Sequence, residues 1–412
     1  MQKKISPFLA LKFPNFRNYL LGAFLSEIGN QMQTVAVAWQ VYEMTRNPIS
    51  LGLIGIANFL PIIIFSLIGG LVADKVDRKK LLIYSQSAQL ILGVILFILT
   101  ITHTINPLMI YGILVLVATA QSFSIPARQS VLPNLVPKEY FMNAVSLNVL
   151  QFQGANMIGP AVAGFLIGGI GVSAVYFLNA ASFLFFIGAV FSLNIPLQQH
   201  DSGDVEFNIE SIMEGIRFVL KTPILVTTMI LDFCATFFGT ATILMPVFAK
   251  EVLHVGPQGL GLLYSGPAIG GVLAGLFVSS MHSRISHQGK AIIFSLVLYG
   301  AATIGFGLSK FFPLSIFFLI LVGFGDMTST IIRNTIRQIV TPDHLRGRMA
   351  SVMRIFFQGG PQLGDMEAGF LAKAVGGPIS VVVGGVGVLV VLSLLTFKGK
   401  ALRNYHGKDV AV

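Results

Sequence analysis

Charged residues are scarce in this sequence. Only 11% of its 412 residues are Asp, Glu, Lys or Arg, whereas 54% are hydrophobic, and the mean hydropathy is +0.80. A soluble protein has about 25% charged residues, so this composition excludes an ordinary soluble domain and predicts an integral membrane protein. The net charge of +10 does not indicate nucleic acid as a partner, because the basic residues lie between apolar runs rather than in an aromatic-lined patch.

Several chemical motifs are also missing. Cys234 is the single cysteine, so the chain forms no internal disulfide and no cysteine metal cluster. The histidines show no metal-binding spacing, and we expect neither a metal nor a cofactor. There is no Gly-x4-Gly-Lys-Ser/Thr phosphate loop, which argues against ATP drive within this chain, and no Gly-x-Ser-x-Gly nucleophile motif. We therefore expect that the protein is not an enzyme. The N-terminus is no convincing cleaved signal peptide, since it lacks a small-residue cleavage site.

Long apolar runs occupy most of the chain. A run of about 20 apolar residues can cross a hydrocarbon core of roughly 30 Å, and we predict an all-α membrane protein with twelve transmembrane helices in two pseudo-symmetric six-helix bundles. The predicted spans lie at about 18–44, 49–73, 81–102, 107–127, 141–170, 173–195, 222–249, 258–283, 290–309, 313–335, 348–375 and 378–397. The N-terminal bundle would cover 1–195 and the C-terminal bundle 222–412. Between them, 196–221 is predicted as a cytoplasmic linker that ends in a short amphipathic helix.

The basic residues predict the orientation. If the N-terminus is cytoplasmic, 22 Lys and Arg residues fall in cytoplasmic segments and four fall outside: Arg46, Lys250, Lys310 and Lys373. Lys and Arg are enriched in cytoplasmic loops, so we expect both termini to be cytoplasmic.

An internal repeat is visible when the sequence is shifted by 205 residues. The shift places Arg128 on Arg333 and Pro137 on Pro342, positions that we assign to loops. Recurring loop residues are hard to explain by chance similarity between apolar segments, so the repeat predicts a duplication. Two parallel halves related by an axis along the membrane normal are typical of one transporter architecture.

Two carboxylates lie near the middle of predicted spans. Glu27 is about ten residues into the first span, roughly 15 Å along a helix, and the repeat places it on Asp232 of the seventh span. Ionisable groups in membrane helices are costly and mark candidate functional positions. Because desolvation favours the protonated form of a carboxylic acid, both residues are candidates for binding protons or a cationic substrate. The alternative is a structural bond to a neighbouring helix.

Other polar residues share helical faces at spacings of three and four. Arg354 lies within the eleventh span, so we expect it to pair with a carboxylate. For Asp326, Arg354 and Glu367, structural pairing is favoured over transport chemistry, and the role of Asp365 stays open. The residues predicted to line a proton-coupling and substrate cavity are Glu27, Asn30, Gln31, Thr34, Asp232, Thr236, Arg354, Gln358 and Asp365.

The fifth span contains a pattern of small residues, Gly154-x4-Gly159-Pro160-x3-Gly164. Glycines at such spacing let another helix approach closely, and Pro160 would bend the helix. Close packing without any gating role explains the pattern equally well.

The segment 70–80 reads Gly-Leu-Val-Ala-Asp-Lys-Val-Asp-Arg-Lys-Lys, an abrupt charged hinge between two apolar runs. It resembles the loop 2–3 signature of the major facilitator superfamily, G-x-x-x-D-[RK]-x-G-R-[RK]-[RK], except that Asp77 replaces the glycine. The fifth-span pattern resembles the superfamily's antiporter signature. Over essentially its whole length the chain resembles the drug and siderophore exporter branch, which includes macrolide efflux proteins and the enterobactin exporter.

The resemblance implies proton-coupled alternating access. It also implies a conformational latch made of Gly70, Asp74, Asp77 and Arg78. In this latch Asp74 would meet the N-terminal end of the eleventh predicted span, 348–375, where the helix dipole favours a carboxylate. The corresponding segment of the second half lacks the carboxylates, so such a latch would be one-sided.

We therefore expect a monomeric, multi-pass protein of the bacterial inner (plasma) membrane. Its partners would be a small-molecule substrate, protons and the lipid bilayer. It would export a drug-like compound or a siderophore by proton antiport, and export of drugs would confer multidrug resistance. The alternatives are a proton-coupled uptake symporter and a membrane receptor or scaffold that has the fold without transport.

Overall fold

The computed structural model describes residues 8–193, 209–239, 242–281, 287–342, 345–398 and 402, and these residues form helices and short connections. The first half contains α1 Pro14–Thr45, α2 Pro48–Lys75, α3 Arg78–Ile101, α4 Pro107–Val131, α5 Phe141–Gly169 and α6 Val172–Phe191. The second half contains α7 Ile209–Lys221, α8 Pro223–Gly239, α9 Met245–Val247, α10 Gly256–Met281, α11 Gln288–Leu308, α12 Phe312–Val340, α13 Arg346–Val375 and α14 Gly377–Lys398.

Local sequence explains where several helices begin and end. Pro14 and Pro107 stand at the first turns of α1 and α4, where a missing N–H costs nothing. Asn106 caps α4 by accepting a hydrogen bond from Met109 N at 2.9 Å. Gly171 lies between α5 and α6, and Gly376 lies between α13 and α14. Their φ angles of 110° and 89° belong to a backbone conformation that favours glycine. Helices are thereby separated by very short connections.

In the part of the chain that the structure describes, nine helical segments are long and apolar enough to cross a membrane. They comprise α3, α4, α6, α10, α11 and α12, most of α2 and α14, and the segment Pro223–Val252. The helices α1, α5 and α13 have 32, 29 and 30 residues but are more polar. A multi-pass helical membrane protein is confirmed, whereas the count of twelve spans and the position of the termini stay predictions.

The chain divides into two compact units. The first comprises Met1–Arg46, Ala57–Ser202 and Gly256–Ser265, and the second comprises Asn47–Ile56, Gly203–Val255 and Gly266–Val412. Each unit therefore includes a short helical segment from the other half of the sequence. The predicted division at 196–221 stays a prediction, since 194–208 lie outside the described residues.

Each unit has its own apolar core. In the first unit α1 packs along α5 and α6, and α3 packs along α4 and α6. In the second unit α11 packs along α12 and α14, and α8 packs along α13 and α14. The buried residues of these cores include Phe16, Tyr19 and Phe186 in the first unit and Leu231, Tyr299 and Ile336 in the second.

Most predicted spans agree with helices of the structure to within a few residues, but three predictions need correction. The predicted span 222–249 is interrupted, because α8 ends at Gly239 and a π-helical turn follows α9 at Phe248–Val252. The hinge at 70–80 is mostly helical, with only Val76 and Asp77 between α2 and α3. Finally, Arg128 and Arg333 do not lie in loops, since α4 runs to Val131 and α12 to Val340.

Candidate functional site

The second unit contains a buried ion pair between α8 and α12. Asp232 Oδ1 lies 2.7 Å from Arg333 Nη2, and the two side chains are 4% and 0% exposed. Both residues are on long apolar helices, where solvent offers no competing hydrogen bonds. A pair so well shielded interacts strongly, and removing one partner leaves an uncompensated buried charge.

A second arginine stands one helical turn further along α12. Arg337 Nη2 lies 3.6 Å from Asp232 Oδ2 and donates a hydrogen bond of 2.7 Å to the backbone oxygen of Thr228. Its Nη1 also donates to Asn334 Oδ1 at 3.2 Å. Asp232 therefore lies between two guanidinium groups. Arg337 is held in place by hydrogen bonds to both α12 and α8.

Asp326 completes this group. Thr330 hydrogen-bonds the Asp326 carboxyl group, which also interacts electrostatically with Arg333 and Asp232. The hydroxyl oxygen of Thr330 in turn accepts a hydrogen bond from Arg333 Nη2 at 3.0 Å. Two acids and two arginines thus lie together in the second unit, and we call this group the Asp232–Arg333 cluster. Its members are Asp232, Asp326, Arg333 and Arg337.

The first unit contains the corresponding pair between α1 and α4. Glu27 Oε2 lies 3.7 Å from Arg128 Nη1, and the side chains are 14% and 20% exposed. Arg128 also donates to Ser26 Oγ at 3.3 Å and stands over the Phe186 ring with its guanidinium carbon 4.5 Å from the ring centroid. Cation–π contacts of this kind orient an arginine. This pair is looser and more open than the pair in the second unit.

Sequence reasoning placed both carboxylates at equivalent positions but did not identify their partners. The shift of 205 residues aligns Glu27 with Asp232 and also Arg128 with Arg333. Had the arginines been assigned to helices, the same shift would have predicted two equivalent acid–arginine pairs. They were instead counted as loop charges, and Arg337 was likewise treated as a loop residue.

The remaining polar residues predicted on α1 surround Glu27. Gln31 Nε2 donates to Glu27 Oε1 at 3.3 Å, and Thr34 Oγ1 donates to the backbone oxygen of Asn30 at 3.1 Å. On α8, Thr236 Oγ1 donates to Asp232 O at 2.9 Å, so its hydroxyl is engaged by its own helix. The proton-coupling and substrate-binding roles given to these residues stay predictions.

The predicted residues of α13 are placed differently. The backbone of Arg354 and Gln358 is helical, but their side chains lie outside the described part of the structure, so the expected pairing of Arg354 stays a prediction. Asp365 is half-buried, and its Oδ1 has no hydrogen-bond partner among the described residues.

The small residues of α5 lie at close helix contacts within the first unit. A Cβ atom added at Gly159 would lie 2.6 Å from Gln31 Cβ, and one added at Gly164 would lie 2.9 Å from Gly261 Cα. A Cβ atom added at Gly154 would lie 3.5 Å from Phe24 Cε2, and Pro160 is buried within α5. The predicted close helix approach is therefore present, whereas an antiporter role for this pattern stays a prediction.

The charged segment at 70–80 has a structural explanation for its departure from the superfamily signature. Asp77 caps α3 by accepting hydrogen bonds from Lys79 N and Lys80 N at 2.8 and 3.1 Å. Arg78 Nη1 donates to Ser130 O at 3.3 Å, which ties the start of α3 to α4. Gly70 and Asp74 lie on the last turns of α2, and their side chains are outside the described part. The latch role of these residues stays a prediction.

Comparison with known proteins gives consistent matches over almost the whole chain. The model of the MFS_3 family, described as transmembrane secretion effector, matches residues 5–411. The multidrug efflux pump Tap of Mycolicibacterium fortuitum is 26% identical over 367 residues, which cover 87% of this chain and 89% of that protein. The enterobactin exporter EntS of Citrobacter koseri is 26% identical over 393 residues, which cover 95% and 94% of the two chains.

Solved structures share the fold at low sequence identity. An inward-facing bacterial homologue of the human lysosomal transporter Spinster matches with a TM-score of 0.74 and 14% identity over 93% of this chain and 96% of its own. The nucleoside transporter NupG matches with a TM-score of 0.71 and 12% identity over 95% and 99%. At these identities the likeness supports the fold alone.

Proposed function

The chain belongs to the transmembrane secretion effector family of the major facilitator superfamily, and from this membership we propose that it exports a small organic molecule in exchange for protons by alternating access. It is a membrane transporter and not an enzyme. The relatives described as a multidrug efflux pump and an enterobactin exporter support export as the direction, with a drug-like compound or a siderophore as the substrate.

The observation that carries the proton-coupling part of the proposal is the Glu27–Arg128 pair. A carboxylate 3.7 Å from a guanidinium, with 14% of its side chain exposed, is shielded enough for the charge to matter and open enough for a proton to reach it. Protonation would neutralise Glu27 and release Arg128 from the pair. Deprotonation would restore the attraction, so each proton bound or released changes the contacts between α1 and α4.

Asp232 is the weaker proton carrier in this proposal. Two guanidinium groups face its two oxygens, so ion pairs occupy both sides of this carboxylate. We assign Asp232 to holding α8 against α12. Glu27 would then be the main proton carrier, although the repeat makes the two acids equivalent in sequence.

The proposal is tested by proton exchange in everted membrane vesicles. The vesicles are energised to accumulate protons, a pH-sensitive dye reports the gradient, and ethidium or enterobactin is added as the probe. We expect probe-dependent proton release by the wild type and its loss in E27Q. The matched control is E43Q, because Glu43 pairs with Arg46 at 3.5 Å on an exposed surface.

Other outcomes contradict the proposal in distinct ways. Proton release by E27Q at the wild-type rate would remove Glu27 from the coupling. An uptake symporter would release protons only from vesicles preloaded with the probe, and both would leave together. A receptor or scaffold would move neither protons nor probe.

A further inference from the structure

Asp365 lies on α13, a helix that we predict to span the membrane, beside a second acceptor that also lacks a donor. Asp365 Oδ1 and Gln362 Oε1 are both buried and have no hydrogen-bond partner among the residues that the structure describes. The two residues are three positions apart and therefore share one face of the helix. Two buried acceptors with no donor are unfavourable, and a proton on Asp365 would supply the missing donor.

The beginning of α2 packs directly over this position within the second unit. A Cβ atom added at Gly55 would lie 2.6 Å from Gln362 O and 3.0 Å from Asp365 Cβ. One turn earlier, a Cβ atom at Gly52 would lie 3.1 Å from Met366 O and 3.3 Å from Gly369 Cα. The backbones of α2 and α13 are therefore in contact along this crossing, which we call the α2–α13 crossing.

Among the residues that the structure describes, the helices packed around Asp365 bring no counter-charge. The α2 segment in this unit, Asn47–Ile56, contains no titratable side chain. α8 packs beside the crossing through Thr236 and Phe237 at Gly364, and its titratable groups are Asp232, which is held by two arginines, and Cys234.

The other side of α13 is similar. α14 packs there through Ser380, whose Oγ donates to Ala368 O at 3.1 Å, and α14 carries a single titratable residue, Lys398 at its last position. On α13 itself the groups nearest in sequence are Glu367 and Lys373. In this described neighbourhood none of these groups forms an ion pair with Asp365.

An ionised carboxylate is strongly disfavoured in such a place, because burial removes its hydration without offering an opposite charge. A neutral carboxylic acid avoids this cost. Opening of the crossing would admit water, and the ionised form would then be tolerated. Proton binding is therefore linked to the closed crossing, and linkage requires that the proton in turn stabilises closure.

We propose that Asp365 is a proton-binding site that controls closure of the α2–α13 crossing, so that the crossing closes only over a protonated Asp365. The proposal rests on the proposed proton-coupled transport and deepens it. The C-terminal end of α13, at Lys373, is predicted to lie outside the membrane. The proton would therefore come from the outer solution. Each return of the transporter through the closed state would then require one proton to be taken up.

The test measures closure without any substrate. In a C234A background, spin labels are placed on the two helices of the crossing within the second unit, with I49C at the start of α2 and A374C near the end of α13. Double electron–electron resonance then gives the distribution of distances between the two labels, with the protein in nanodiscs at a series of pH values. We expect the ratio of short to long distances to rise as the pH falls, by up to about tenfold per pH unit, the limit for one proton.

The decisive variant is D365N, which is close in size and always neutral. We expect it to show the short distance at every pH. The control is E367Q, which lies on another face of α13 and should keep the wild-type pH dependence. The proposal would be overturned if D365N retained the wild-type pH dependence. It would also be overturned if E367Q lost that dependence.

Misfolding and failure of the transport proposal are both separable from this result. A misfolded D365N protein would show a broad distance distribution and would not elute as a single species in gel filtration. D365E would then be measured instead, and we expect its crossing to close at higher pH than in the wild type. If the crossing responds to pH but no probe exchanges with protons in vesicles, the Asp365 site stands and proton-coupled export fails.

Discussion

Asp232 and Arg333 contact each other at 2.7 Å in the interior of the second unit, while the equivalent residues of the first unit, Glu27 and Arg128, are 3.7 Å apart and partly exposed. Positions matched by the 205-residue shift thus form a tight pair in one unit and a loose pair in the other. The tight buried pair holds α8 against α12, whereas the loose pair leaves the Glu27 side chain partly open to solvent. The two halves are therefore suited to different tasks.

Removal of the Asp232 charge should destabilise the protein strongly. D232N leaves Arg333 and Arg337 buried without their main counter-charge, and breaking a buried pair in this way costs about 3–5 kcal/mol. We expect a clear drop in the thermal unfolding midpoint, followed through the fluorescence of the single tryptophan, Trp39. E27Q is the matched variant and should lose about 1 kcal/mol or less, as is usual for partly exposed pairs.

The double variant D232N/R333M checks the cause of that loss. If the uncompensated charge of Arg333 is responsible, replacing it with a similarly sized apolar side chain should recover part of the stability. Equal losses in D232N and E27Q would contradict the distinction between the two pairs.

Loss of the cap at Asp77 should weaken the start of α3. D77A removes the acceptor for Lys79 N and Lys80 N, and loss of a helix N-cap costs about 0.5–2 kcal/mol. D77N should be nearly neutral and D77G should lose only a few tenths of a kcal/mol, which would also explain why the superfamily signature accepts glycine here. The measurement is the unfolding midpoint of all three variants, and a D77G loss as large as that of D77A would argue against capping.

The close contact at Gly369 should not tolerate a methyl group. A Cβ atom there would lie 2.7 Å from Gly52 Cα, and overpacking of this kind costs about 1–3 kcal/mol. We expect G369A to unfold at lower temperature and to lose probe transport. G188A is the control, because nothing lies within 4 Å of a Cβ atom at Gly188, and an alanine in a helix interior should be neutral or stabilising by about 0.5–1 kcal/mol.

The contact between Arg128 and the Phe186 ring should be measurable by a double-mutant cycle. R128K keeps a positive charge near Glu27 but removes the planar guanidinium over the ring. We expect an interaction energy of about 0.5–2 kcal/mol between R128K and F186L, obtained from the unfolding of both single variants and the double variant. Strictly additive effects would show that the ring does not hold Arg128 in place.

Some of the site was predictable because its signals are local. The spacing of Glu27, Gln31 and Thr34 on one helical face follows from 3.6 residues per turn, and the glycines of α5 marked a close approach that the structure contains. Arg128 and Arg333 were misassigned because a positive charge near the end of an apolar run suggests a loop. Their helices continue past them, since a carboxylate on a neighbouring helix offsets the cost of burying each guanidinium.

A multi-pass helical membrane protein with an internal sequence repeat was predictable without any coordinates, because apolar run length, charge scarcity and the repeat are properties of the chain alone. The three-dimensional packing was needed to show which arginine pairs with which acid, that one pair is buried and the other partly exposed, and that glycines of α2 lie against α13 at Asp365. These relationships join residues far apart in the chain, and the energy of a buried charge depends on the groups that packing places around it.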